Sequence, residues 1–182
     1  MLALANTGSD MINAIKQARE FGLTPRMKVA ALFIQLSDVH ALGLPVAQGL
    51  QLVTAFYWNS GEATRTWSKR FGDRMAGRMP TEDHAGVYSA TLAYLRAVRD
   101  VQTLEGNQVV ATMRRAPIQD PLFGTVTIRS DGRAVHDLYL FEVKAPSESA
   151  GPYDYYKLLA TVPGDQAFRL PGEGGCPLEQ KR

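Results

Sequence analysis

Residues 2–22 read LALANTGSDMINAIKQAREFG, a short apolar run joined to a polar turn and an amphipathic segment. Residues 2–5 are short, continuous and apolar, the pattern of a buried strand. From Ser9 onward Met11, Ile12, Ile15 and Ala18 recur at helical spacing. Ser9 or Asp10 can cap the free amides of that helix, and Gly22 marks its stop. The stretch is the second half of an α/β unit with no first half before it. It is either the start of a domain or a cut edge.

The next segment, KVAALFIQ at 28–35, is apolar without a break from Val29 to Ile34. That is the expectation for a strand covered on both faces of a parallel sheet, and the preceding helix supplies the crossover parallel strands need. SDVHALGLPVAQG follows as a polar turn with a short helix broken near Pro45, and LQLVTAFYW is a third strand. A helix through 59–80 places Ala63, Trp67, Phe71 and Met75 along one face, with Lys69, Arg70, Arg74 and Arg78 as a solvated face. The helix in TEDHAGVYSATLAYLRAVRD has Val87, Thr91, Tyr94, Leu95 and Val98 as its expected core stripe. A third helix, from Asn107 to Arg115, ends at Pro117. Beyond it the pattern changes to strands. Two β-rich runs flank Ser130-Asp131-Gly132, a hairpin signal, and YDYYKLLATVPGD adds another. The predicted class is α/β with antiparallel additions.

The bulk numbers narrow the function. At 182 residues with 45% hydrophobic and 21% charged residues, the chain can bury a real core and is not a disordered tail. A net charge of +2 without a basic run gives no electrostatic case for nucleic acid. The run from Val29 to Ile34 is far short of the roughly 20 residues that span a bilayer, so direct membrane insertion is not expected. No charged segment precedes an apolar one, so these residues hold no signal peptide. The one cysteine, Cys176, excludes an internal disulfide and a Cys-rich metal site. It is read either as a free thiol or as half of a disulfide with a partner outside these residues.

His40, His84 and His136 are widely separated and none has a two-His metal spacing, so no metal site or cofactor is expected. Neither a GxSxG elbow nor a phosphate-binding glycine loop is present, and no catalytic residue is assigned. Asp38 and His40 could pair as acid and base in a small α/β hydrolase, although positions i and i+2 face different sides of a regular element. Two polar turns, NTGSD after the first strand and LSDVH after the second, lie at the carboxyl ends of predicted parallel strands. Ligands of open α/β sheets gather at that edge, where hydroxyls, carboxylates and helix-start amides converge.

With these segments in place the chain resembles the C-terminal part of the branched-chain amino-acid-type solute-binding proteins of ABC transporters, the type I periplasmic-binding-protein fold. The matching segments are NTGSDMINAIKQAREFGL, SDVHALGLPVAQGLQLVTAFYW, TRTWSKRF, AGVYSATLAYLRAV, DGRAVHDLYLFEVK and GPYDYYKLLATVPGD, in that order. The resemblance implies a three-layer αβα arrangement with a parallel sheet, here an incomplete pair of lobes. Residues 1–57 with 137–182 would belong to the C-terminal lobe and 58–136 would return to the N-terminal lobe, whose first half is absent. It also implies a periplasmic location, an ABC transporter permease as partner, and a small ligand in the interlobe cleft: an amino acid, an aromatic acid or an amide. No enzyme activity is implied. The matching loops point to Asn6 and Thr7, where relatives have a tyrosine near Thr7, and to Ser37 and Asp38, where some relatives use an acidic residue for the ligand ammonium. His40 is an equal candidate in the second loop. The aromatic run Phe56-Tyr57-Trp58 departs from the more polar hinge of the amino-acid binders and opens the ligand class to aromatic acids and amides. A receptor or regulator with the same fold is the alternative.

Overall fold

The computed structural model describes residues 1–24 and 26–175, so Cys176 and both readings of its thiol lie outside the described residues. In chain order the elements begin with β1 (Leu2–Leu4), α1 (Gly8–Glu20), β2 (Val29–Ala31), α2 (Leu36–Leu42), α3 (Leu44–Ala47) and β3 (Gln51–Thr54). The helices α4 (Glu62–Arg74), α5 (Glu82–Val101) and α6 (Gly106–Arg115) follow. Then come β4 (Ile118–Asp120), β5 (Gly124–Ile128), β6 (Ala134–Val135), β7 (Leu138–Val143), β8 (Tyr156–Val162) and the single turn α7 (Gly164–Ala167).

Packing divides the described residues into two compact units, Met1–Glu82 with Tyr139–Thr161, and Asp83–Leu138 with residues 162–175. The packing boundary falls at Glu82–Asp83, and residues 162–175 pack with the second unit.

The first unit is built on a sheet of order β1-β2-β3-β7-β8. β1, β2 and β3 run parallel, in register Leu4↔Ala31 and Ala31↔Leu52, and β7 returns antiparallel with Leu52↔Phe141. Met11 and Ile15 of α1 and Val39 of α2 are buried against Val29, Ala31, Leu52, Phe141 and Val143. β2 is shorter than expected. It ends at Ala31, and Leu32 and Phe33 are 63% and 51% exposed, so the apolar run is not covered on both faces to its end. The N-cap of α1 is Thr7, in extended conformation; Ser9 and Asp10 are instead exposed inside the first turn.

The buried face of α4 is offset by one residue from the predicted stripe. Thr64, Ser68 and Gly72 are buried, while Ala63 is exposed, Met75 is 40% exposed and Trp67 and Phe71 are half-buried. Small residues win that face because they allow close approach. A Cβ at Gly72 would already lie 3.3 Å from Cε of Met79.

In the second unit, β4, β5 and β6 form a three-stranded antiparallel sheet, and the β5–β6 connection is the predicted Asp131-Gly132 turn, with Gly132 at φ +85°. Its α5 face also differs from expectation. Ala85 and Ala97 are buried, whereas Val87, Leu95 and Tyr94 are 69%, 56% and 42% exposed. Ser89, on the inward side, donates to Asp120 at 2.6 Å, which fixes the helix against the β4 end by its small polar face. β4 itself carries no hydrophobic alternation long enough to be read in advance.

Candidate functional site

Three parallel strands deliver three connections to one edge of the first unit: residues 5–7 after β1, 32–35 after β2 and 55–61 after β3. Leu32 N–H still donates to the Leu4 carbonyl at 3.0 Å, so the first two connections leave side by side. This is the edge at which open α/β sheets take ligands.

Of the predicted residues, Asn6 is half-buried and its Oδ1 is enclosed without a hydrogen-bond partner among the described residues. Thr7 is exposed beside it and spends no side-chain bond on capping α1. Ser37 is exposed in the first turn of α2. Asp38 is half-buried, and its Oδ2 accepts the Gln35 backbone N–H at 2.9 Å. That bond holds the loop after β2 in shape.

His40 sits in the last turn of α2 rather than in the loop. Its Nδ1 shares a hydrogen bond with the Tyr155 hydroxyl at 2.8 Å, and its ring stacks on Tyr153 with centroids 4.3 Å apart. Asp38 and His40 are each engaged elsewhere and make no bond to one another, so the acid/base dyad of a hydrolase is not assembled.

Sequence reasoning passed over the groups that lie deepest. A small cavity of about 10 Å3, room for roughly one water, is lined by Gln35, Thr54, Glu82 and Tyr156 among others. Glu82 accepts the Thr54 hydroxyl at 2.6 Å and the Ala55 N–H at 3.2 Å. The Tyr156 hydroxyl is enclosed with no partner among the described residues. Burial, then Tyr57 and the charges of Asp38 and Glu82, push its pKa up, so it stays protonated as a donor. Gln35 ends the segment read as the second strand, next to the polar turn LSDVH, and could have been found. Tyr156 and Glu82 are brought in by β8 and α5, and no local pattern announces them.

Tyr57 ties this edge to the loop before β8. Its hydroxyl donates to the Tyr153 carbonyl at 3.0 Å and accepts from the Tyr155 N–H at 3.1 Å, and Trp58 Nε1 donates to the same carbonyl at 2.8 Å. These bonds hold Tyr153 at φ +67°, a left-handed conformation that costs of order 1–3 kcal/mol in a non-glycine residue. Burial, joined by the Asp154 charge, pushes the Tyr57 hydroxyl up to about 12 despite the Tyr155 and Tyr156 N–H groups, so it is neutral at physiological pH. The aromatic run at 56–58 is therefore a structural anchor.

The same loop carries a testable ion pair. Burial raises the Asp154 pKa, but the Ala150 N–H at 2.9 Å and Lys144 Nζ at 2.6 Å outweigh it and hold the carboxyl below its usual range. A depressed folded pKa gives stability that is full above the unfolded value, about 3.9, and is lost as pH falls toward the folded one. Denaturant titrations across the acid range are expected to show that loss, and Lys144→Met is expected to flatten it. An unchanged acid slope in the variant would remove the pair from the account.

The loops after β1 and β2 thus bring Asn6, Thr7, Ser37 and Asp38 to one edge of the first unit, and Asp38 and His40 form no dyad there. The family model described as periplasmic binding protein matches residues 1–151, and the chain belongs to that family. A periplasmic binding protein from Burkholderia mallei is 46% identical, with a TM-score of 0.90 over 97% of this chain and 47% of its own. A branched-chain amino acid ABC transporter periplasmic ligand-binding protein from Burkholderia xenovorans is 40% identical, with a TM-score of 0.88 over 97% and 47%. An amino acid ABC transporter substrate-binding protein from Pseudomonas fluorescens is 26% identical, with a TM-score of 0.83 over 96% and 46%. The chain thus spans about half the length of these solved relatives. No curated protein matches it. The type I periplasmic-binding fold read from the sequence is the fold of this chain, in part. Among the described residues no helix is long and apolar enough to cross a membrane.

Proposed function

We propose that this chain supplies one wall of the solute site in an extracytoplasmic binding protein of an ABC importer, and that the solute is a small amino-acid-like or carboxylate molecule. The observation that carries the reading is that, of the three enclosed polar atoms without partners among the described residues, Asn6 Oδ1 and the Tyr156 hydroxyl belong to the edge where the parallel strands end, while Ser68 Oγ lies on the buried face of α4. Buried polar groups are almost always paired, so the unpaired Asn6 acceptor calls for a ligand donor, while the one-water cavity beside Tyr156 lets a bridging water pair its hydroxyl. Asn6 Oδ1 would accept from an ammonium or amide N–H. Thr7 and Ser37 would contribute hydroxyls, while Asp38 keeps the loop in shape through Gln35. The chain's change of lobe falls between 58 and 83 and its return near 137. Closure on the solute would shift an open–closed equilibrium by the solute's differential affinity for the closed form, which a permease then reads.

The test is calorimetric titration of leucine, phenylalanine and benzoate into the natural gene product, with and without Asn6→Ala. At least one solute is expected to bind, and Asn6→Ala is expected to weaken it about tenfold, the size of a hydrogen bond to a charged group. Equal affinity in the variant would remove Asn6 from the site.

A further inference from the structure

At the opposite end of the parallel strands, where β2 and β3 begin, a cavity of about 370 Å3 opens between the α1–β2 connection and the α3–β3 connection. Its volume lies within the range of small-molecule sites. Ile15, Val29, Ala47 and Leu50 form its floor, each no more than 4% exposed, so the floor is apolar and rigidly packed. The rim is cationic. Arg26 and Lys28 line it, and among the described residues no acidic side chain does.

The two cations are not equivalent. Lys28 is committed to Glu142, at 3.0 Å, and Glu142 takes Lys157 as well, at 3.1 Å. The Arg26 guanidinium has no hydrogen bond or ion pair among the described residues. Its backbone is nevertheless fixed, because the Arg26 and Met27 N–H groups both donate to the Leu23 carbonyl, at 2.9 and 3.0 Å. Gln48, also on the rim, spends its Nε2 on the Pro45 carbonyl at 3.1 Å.

We propose that this cavity is a second small-molecule site, for a carboxylate on a compact apolar body, with Arg26 as the anion anchor and the Ile15–Val29–Ala47–Leu50 floor receiving the apolar part. A planar guanidinium matches a carboxylate through two parallel N–H donors. The lining comes entirely from the first unit, at the other end of the parallel strands from the solute edge.

Amide NMR of this chain titrated with hexanoate, to about 10 mM so as to reach weak binding, tests the site with hexanamide as the uncharged control. The amides of Lys28, Val29, Gln48 and Leu50 are expected to shift with hexanoate. Binding is expected to be at least about tenfold weaker for hexanamide and for Arg26→Gln, the loss of a charge-assisted pair. Arg26→Lys, which keeps the charge but loses the two parallel donors, is expected to bind with an affinity between those of the native chain and Arg26→Gln. Arg26 is exposed, so folding of either variant is verified by its unchanged amide spectrum elsewhere. The proposal is overturned by an absence of shifts at those amides, by shifts at Thr7 and Ser37 instead, or by hexanoate affinity that ignores Arg26→Gln.

Discussion

Replacing Phe141 by alanine is expected to lower the stability of the first unit by about 3–5 kcal/mol, the range for deleting a fully buried aromatic side chain. Phe141 is 3% exposed and pairs with Leu52 across the β3–β7 ladder. Its ring meets those of Tyr57 at 5.5 Å and Tyr156 at 5.6 Å, both in angled geometries that add to simple burial. The two tyrosines hold the hydroxyls of the candidate edge and of the loop before β8, so the cavity left by Phe141→Ala would undermine both. Equilibrium denaturation followed by fluorescence and by far-ultraviolet dichroism measures the loss. Phe141→Leu should recover much of it, because it refills most of the volume. A loss below about 1 kcal/mol for alanine would show that the site collapses freely and that Phe141 does not organise the tyrosines.

Asp120→Ala is the corresponding lesion in the second unit, with an expected cost of about 2–4 kcal/mol. Asp120 is 7% exposed, and Oδ1 accepts the Leu122 and Phe123 N–H groups at 2.8 and 2.9 Å while Oδ2 accepts the Ser89 hydroxyl at 2.6 Å. Alanine would leave those donors stranded in a partly buried turn. Asp120→Asn keeps one carbonyl oxygen for the turn and is expected to cost less than half as much. Hydrogen exchange at Leu122 and Phe123 reads the effect directly; protection equal to the native chain's in the alanine variant would contradict it.

The fold was legible where apolar periodicity and turn chemistry agree. Met11, Ile15 and Ala18 announce α1 and are buried as predicted, and the Asp131-Gly132 turn lies between β5 and β6. The failures share a cause. On α4 and α5 the larger apolar residues were assigned to the core, yet Thr64, Ser68 and Gly72, and Ala85 and Ala97, took the buried faces. Hydrophobicity ranks side chains by transfer energy, but close helix packing selects small ones. At the candidate site, loops adjacent in sequence to strand ends were visible, so Asn6, Thr7, Ser37 and Asp38 could be named. The roles of Tyr156 and Glu82 depend on long-range placement, and Asp38's bond to the Gln35 N–H shows that a residue in the right loop can be spent on holding that loop.

In the proposed binding mode a small solute is held against the carboxyl ends of β1 and β2. Amide NMR of the natural gene product, free and saturated with the solute that calorimetry identifies, tests it most directly. The account predicts the largest shifts at Asn6, Thr7 and Gly8 and across Gln35 to Asp38, with smaller ones at Thr54 and Tyr156. Saturation that leaves the amides of residues 6–8 and 35–38 unmoved would contradict it.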